Sequence, residues 1–194
     1  MTIRPLRLRD VPALSRMYVS LSEEDRRFFH PFPFQLWLLV PVLTLIRTSS
    51  LLCPLVRRVF PRLAFLSLVA YDPARRSLAG SGYLRLSRPP GDSKLLAGLG
   101  IVVAEPYRGK GLGPDLMDSL VRLASRHNVG RIFLVVLAEN ERAMALYRKC
   151  GFNTVAGMTE RWQGRDYPGY RMELALDGPP LPAAETEVTG TDAG

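Results

Sequence analysis

Cysteine is scarce in this chain. Cys53 and Cys150 are the only two in 194 residues, too few for a disulfide framework and unable to build a cysteine-rich zinc site. No metal is expected. Lysine is almost missing too: Lys94, Lys110 and Lys149 stand against 23 arginines. The arginines are scattered and not striped with aromatics, so no nucleic-acid partner is expected. The start, MTIRPLRLRD, lacks the long apolar core of an export signal, which predicts a cytoplasmic protein.

What is present is ordinary globular material, with 47% hydrophobic and 23% charged residues. The length suits one domain with extensions, and its core needs no disulfide or metal to hold it. The net charge of +8 is uneven: residues 1–176 carry +12, and residues 177–194 hold four acids and no base. That last stretch, with three prolines and no aromatic, reads as a disordered acidic tail. One domain is expected over 1–176.

Ile3 to Arg7 reads as a first strand. Asp10 is placed to cap a helix over Val11–Ser20, and Ser22-Glu23-Glu24-Asp25 looks like a capping box for a second short helix. From Phe28 to Ile46 there is no charged residue, and 34–62 is strongly apolar but broken by prolines. It reads as an apolar helical insertion, either buried or lid-like, with peripheral membrane contact or a homodimer surface as the other uses. From Leu63 the pattern turns strand-like. Leu63–Tyr71 and Ser77–Leu86 form a hairpin around Asp72-Pro73-Ala74, and Lys94–Ala104 is a buried strand. Leu112, Leu116, Leu120 and Leu123 mark one face of a helix that Gly130 ends. Arg131–Ala138 is another strand, and a helix from about Asn140 to Lys149 stops at Gly151. Phe152–Arg161 and Tyr170–Leu176 close the fold.

The chemistry is concentrated in the turn Arg108-Gly109-Lys110-Gly111-Leu112-Gly113. Three glycines within five residues let backbone N–H groups crowd one point, and the helix that starts there adds the positive end of its dipole. Such a turn suits a pyrophosphate, with Arg108 and Lys110 as mobile cations beside it. It fits neither the P-loop pattern nor the Rossmann fingerprint.

The turn matches Q/R-x-x-G-x-G/A, and Asn140-Glu141-Arg142-Ala143-Met144-Ala145-Leu146-Tyr147-Arg148-Lys149-Cys150-Gly151-Phe152 matches N-x-x-A-x-x-L-Y-x-x-x-G-F. In this order the two motifs resemble the GNAT superfamily of acyl-CoA-dependent N-acyltransferases, over about residues 1–33 and 63–176. The resemblance implies an α/β (α+β) fold: a mixed central sheet flanked by helices, whose two middle strands splay into a cleft for acetyl-CoA. It implies that Ile101, Val102 and Val103 offer backbone groups to the pantetheine arm. Arg108, Gly109, Lys110, Gly111, Leu112, Gly113 and Pro114 would wrap the pyrophosphate. Asn140 would contact the arm and Tyr147 the sulfur. Each has a plainer use as well: core strand, tight turn, helix cap, packed aromatic.

The implied reaction is direct attack of an amine on the thioester. The Val103 N–H would stabilise the carbonyl oxygen and Tyr147 would protonate the leaving thiolate. Many relatives place a glutamate in an A-E-L-G segment; here it reads Ala97-Gly98-Leu99-Gly100. Relatives that acetylate ribosomal-protein N-termini carry an acid where Val135 stands, which argues against that substrate. The base candidates are Glu139, Glu24, His30 and ordered water. The expected acceptor is a primary amine on a small molecule, with a protein amine, or acyl-CoA sensing without turnover, as the alternatives.

Overall fold

The computed structural model describes residues 1–29 and 64–176. His30, the apolar insertion 34–62 and the tail 177–194 lie outside the described residues. The strands are β1 (Thr2–Pro5), β2 (Ala64–Asp72), β3 (Ser77–Ser87), β4 (Leu95–Val103), β5 (Val129–Leu137), β6 (Asn153–Trp162) and β7 (Arg165–Ala175). The helices are α1 (Val11–Val19), α2 (Glu23–Phe28), α3 (Leu112–Arg126) and α4 (Glu141–Lys149). The strands form one sheet in the order β1-β2-β3-β4-β5-β7-β6. Only β4 and β5 run parallel; every other neighbouring pair is antiparallel.

Two apolar clusters, one on each face, account for the layers. On one face Leu116, Met117, Leu120 and Ala124 of α3 pack with Leu84, Ala97, Leu99, Ile132, Leu134 and Met172. On the other, Leu14, Met17 and Tyr18 of α1 pack with Val69, Ala79, Tyr83 and Val102. Fully burying each of the leucine, isoleucine, valine and methionine side chains among them contributes roughly 1.5–3 kcal/mol. The leucine face read from the sequence needs one amendment. Leu112 is buried with the α1 cluster, Leu123 is only partly buried, and Met117 and Ala124 take up the α3 core.

Three further expectations change in detail. Asp10 stands at the start of α1 but makes no cap hydrogen bond. Its carboxylate instead grips the Arg4 guanidinium at 2.6 and 2.7 Å and accepts from the Arg7 N–H at 2.8 Å. The hydrogen bond from Arg4 holds the Asp10 carboxyl below the usual carboxylate range despite its burial. Helix α3 is ended by Asn128, with φ of 57°, while Gly130 already lies inside β5. Asparagine tolerates that left-handed geometry better than most residues. Strand β7 begins at Arg165, five residues early, because a tight Gln163-Gly164 turn with both φ positive (49° and 78°) closes the β6–β7 hairpin. Pro168 lies within this added stretch. It sits past the last β5 partner, Gly169, and its carbonyl still accepts from the Ala138 N–H at 2.9 Å.

Candidate active site

The site begins where the sheet comes apart. Pairing between β4 and β5 runs from Leu95↔Val129 only as far as Gly98↔Phe133, although β4 continues to Val103 and β5 to Leu137. Ala104 N–H bonds the Ala79 carbonyl at 2.9 Å, and Gly80 lies opposite Val103. Antiparallel alternation therefore turns the N–H groups of Ile101 and Val103 away from β3 and into the opening. The same alternation turns the amide of Val102 towards Ser81 of β3, so only its side chain serves the cleft.

A cleft of about 900 Å³ occupies this opening, within the usual range for a cofactor site. Its lining includes Ile101, Val102, Val103, Arg108, Gly109, Gly111, Gly113, Pro114, Glu139, Asn140 and Tyr147. Lys110 and Leu112, both expected at the cofactor, are not among the lining residues. The Lys110 Nζ donates to the Pro106 carbonyl at 2.7 Å, and Leu112 points into the core.

The glycine turn is built as its composition suggests. Gly109 and Gly111 take φ of 73° and 81°, a region open to glycine at little cost. The first helical bond of α3 runs from the Asp115 N–H to the Gly111 carbonyl at 3.2 Å. Ahead of it, the N–H groups of Gly111, Leu112 and Gly113 have no main-chain acceptor among the described residues. They are donors available to an anion at the positive end of a 15-residue helix. Gly113 also permits close approach of the second motif: a Cβ there would lie 3.3 Å from Leu146 Cδ2.

Helix α4 positions Tyr147 through its two ends. Asn140 caps the start, its Oδ1 accepting from the Ala143 N–H at 3.1 Å. At the far end the Gly151 N–H bonds Arg148 O and the Phe152 N–H bonds Tyr147 O, both at 3.0 Å, with Gly151 at φ 88°. This is a Schellman closure, and the accompanying apolar contact is Tyr147 against Phe152 with ring centroids 5.9 Å apart. The spacing L-Y-x-x-x-G-F thus has a local cause: the tyrosine, the glycine and the phenylalanine belong to one helix ending. Tyr147 is 8% exposed and lines the cleft. Its hydroxyl has no hydrogen-bond partner among the described residues. Burial, with a smaller contribution from Cys150, pushes the phenol well above its ordinary pKa.

Helix α2 closes over the cleft by two ion pairs of opposite sense. Asp25 pairs with Arg108 at 2.7 Å, and Arg27 pairs with Glu139 at 2.8 Å. Arg108 also donates from Nε to the Val103 carbonyl at 3.0 Å. Its guanidinium is therefore committed to α2 and β4, not free for phosphate as its place in the motif suggested. Burial raises the Asp25 carboxyl, but hydrogen bonds from Arg108 and Ser22 outweigh it and hold the group below the usual carboxylate range. Glu139, expected as a base, lines the cleft with its carboxylate on a guanidinium. Glu24, by contrast, lines the cleft and also a second cavity of about 530 Å³. That cavity lies between α2 and the β6–β7 hairpin, with Arg27, Trp162 and Tyr167 in its wall.

The β4 position where many relatives carry glutamate is filled from β5. A Cβ on Gly98 would come within 3.1 Å of Phe133 Cζ, and Arg171 caps that ring at 4.5 Å from its centroid. Asp25 and Arg27 went unseen in the sequence as site residues, because their partners Arg108 and Glu139 lie far along the chain. Arg142, Ala143 and Leu146 stand inside the helix motif but were assigned no site role there, and they line the cleft. No group of ligating side chains that could hold a metal occurs among the described residues, and none of the described helices is long and apolar enough to cross a membrane.

Comparison with known proteins gives a consistent picture. The model of the acetyltransferase (GNAT) family matches residues 60–152. An uncharacterised N-acetyltransferase of Bacillus subtilis, YobR, is 43% identical over 56 residues, which are 29% of this chain and 23% of that protein. The chain spans less than a quarter of the length of the curated relatives it matches. Among solved structures, a GNAT-family acetyltransferase from Streptococcus pneumoniae superposes with a TM-score of 0.69 at 19% identity, covering 90% of this chain and 99% of that one. A GNAT phosphinothricin acetyltransferase from Sinorhizobium meliloti, crystallised with AcCoA, superposes at 0.67 with 20% identity, covering 90% and 88%. Fold, paired motifs and family match agree: residues 60–152 match the GNAT family of acetyltransferases, and the described residues adopt the GNAT fold.

Proposed function

We propose that this domain transfers the acetyl group of acetyl-CoA to a primary amine on a small molecule. The observation that carries the reading is the cleft itself. It joins an anion-ready glycine turn, two inward strand amides and a buried, unpartnered tyrosine in one opening. The residues fit the cofactor: Gly111 to Gly113 present donors suited to a pyrophosphate, and β4 offers an edge to the pantetheine arm. The bound cofactor supplies the activated acetyl group. The second cavity is the size of a small-molecule site and adjoins the cleft at Glu24.

The residues divide the work as follows. The acceptor nitrogen attacks the thioester carbon, forming the N–C bond as the C–S bond breaks. The Val103 N–H donates to the carbonyl oxygen, where negative charge develops. Tyr147 gives its proton to the departing thiolate. A primary amine of pKa ~10.4 is mostly protonated near pH 7, so its extra proton must leave. Glu24, with no partner among the described residues, takes that proton directly or through water. Glu139 was the nearer candidate by sequence, but its carboxylate is engaged by the Arg27 guanidinium at 2.8 Å rather than free to face the amine. It serves instead to hold α2 across the cleft.

Calorimetry with acetyl-CoA tests the cofactor half of this reading. A Kd in the micromolar range is expected, and no heat at millimolar acetyl-CoA would refute it.

A further inference from the structure

The second cavity carries opposite charges in its wall that do not meet. Glu23 and Glu24 enter it from α2, and Arg27 and Arg165 are its cations among the described residues. Arg27 is already engaged: it pairs with Glu139 at 2.8 Å and lies 5.1 Å from the centroid of the Tyr167 ring. Arg165 makes no ion pair or hydrogen bond among the described residues, although Glu23 and Glu24 share its cavity.

The β6–β7 hairpin explains why Arg165 is left over. Its tight turn sets Arg165 directly opposite Trp162, and Tyr167 opposite Glu160. Directly opposed side chains share a face of the ladder, and so do residues two apart on one strand. Trp162, Arg165, Tyr167 and Glu160 therefore lie on one face. Arg161 and Asp166 lie on the other, where they bond to each other at 2.9 Å. The acid next to Arg165 in the chain is thus used on the far face, and Glu160 stands outside the cavity wall. The cavity also has a direction. Glu24 is the one described residue that lines both it and the cleft. An acceptor that delivers its nitrogen past Glu24 keeps the rest of its body in the second cavity, against Arg165.

We propose that Arg165 selects the acceptor, and that the acceptor is an amine which also carries a carboxylate, an amino acid in the simplest case. This rests on the acetyl-transfer reading of the cleft. The amine end of such a molecule meets Glu24, and its carboxylate takes the planar fork of the Arg165 guanidinium. Trp162 and Tyr167 give its carbon skeleton apolar surface in the same wall. A diamine is the poorer fit, because its second ammonium enters a cavity that already holds Arg27 and Arg165.

The test is thiol release from acetyl-CoA by the full chain, with each amino acid set against the amine left when its carboxylate is removed. L-phenylalanine is paired with phenethylamine, L-leucine with isopentylamine and γ-aminobutyrate with propylamine, and diaminobutane is run beside them. In the pairs that turn over, kcat/KM should favour the carboxylate member by about tenfold, the scale of one charge-assisted hydrogen bond. Arg165→Ala should bring that ratio to within about twofold of one, and Arg165→Glu should reverse it. A wild type that uses both members of each pair equally, prefers the plain amine or acetylates diaminobutane alone overturns the proposal. So does a ratio that either variant leaves unchanged. Binding of acetyl-CoA with no thiol released by any compound refutes the acetyl-transfer reading itself, a result distinct from the others. Arg165 is exposed, so its replacement should leave the fold intact, which matched thermal melts verify.

Discussion

Tyr147 owes its place to the chemistry of a helix ending rather than to any feature of the reaction. The Schellman closure at Gly151 and the contact with Phe152 fix its backbone and ring. Burial then keeps the phenol neutral. Tyr147→Phe should lower turnover by about 100-fold, the lower range for loss of a general acid, while acetyl-CoA affinity changes by less than about twofold. Equal losses in both would make Tyr147 a packing residue. The acid form is the working form, and a raised pKa extends it upward. The rate should therefore show no decline from this group below about pH 10, the ordinary tyrosine value. For the base, Glu24→Gln should cut kcat/KM for the amine by at least about tenfold, and Glu139→Gln by much less; the reverse order would return the role to Glu139. At this scale the sequence was most legible where a residue acts through its own neighbours. Asn140 caps its own helix, and Gly111 and Gly151 supply the positive φ their turns demand. Arg108 was misread for the same reason, because its partner Asp25 belongs to a different element.

Among the elements, β4 decides the site. It is paired to β3 from Leu96 to Val103 but only up to Gly98 with β5. Glycine at 98 and 100 lets aromatic rings from adjacent strands lie across it, Phe133 over one and Tyr83 over the other. A Cβ at position 100 would collide with the Tyr83 ring. Overpacking a core in this way costs about 1–3 kcal/mol. Gly100→Ala should therefore lower Tm by roughly 2–12 °C at about 2–4 °C per kcal/mol for a chain of this size; an unchanged Tm would show that the ring moves aside freely. The sequence exposed β4 as a buried strand but not its neighbours, since strand order depends on contacts between distant segments. It also hid the two ion pairs by which α2 closes the cleft. Solvent-accessible pairs of this kind, here only partly buried, contribute about 1 kcal/mol or less each, so their value lies in placing Glu24 between the two cavities.

For the whole molecule, the charge arithmetic and the site point in opposite directions. The chain is strongly basic, yet the cleft lining carries more acids than cations. The net charge is a property of the surface and does not locate the cofactor. The proposed cofactor site rests instead on the backbone donors of the glycine turn. The family and the fold class were legible because both motifs encode local geometry, a glycine turn and a helix ending, and the sheet forms between them. The cavity proposed for the acceptor was not legible, because it is assembled from α2 and the β6–β7 hairpin, far apart in the chain. The most direct test of the account is free-thiol release from acetyl-CoA across a panel of small primary amines, with Tyr147→Phe as the control. The account predicts release matched one to one by N-acetylated amine, and strongly reduced in the variant. Firm binding of acetyl-CoA with no thiol released above the rate without protein, for any amine, would contradict it.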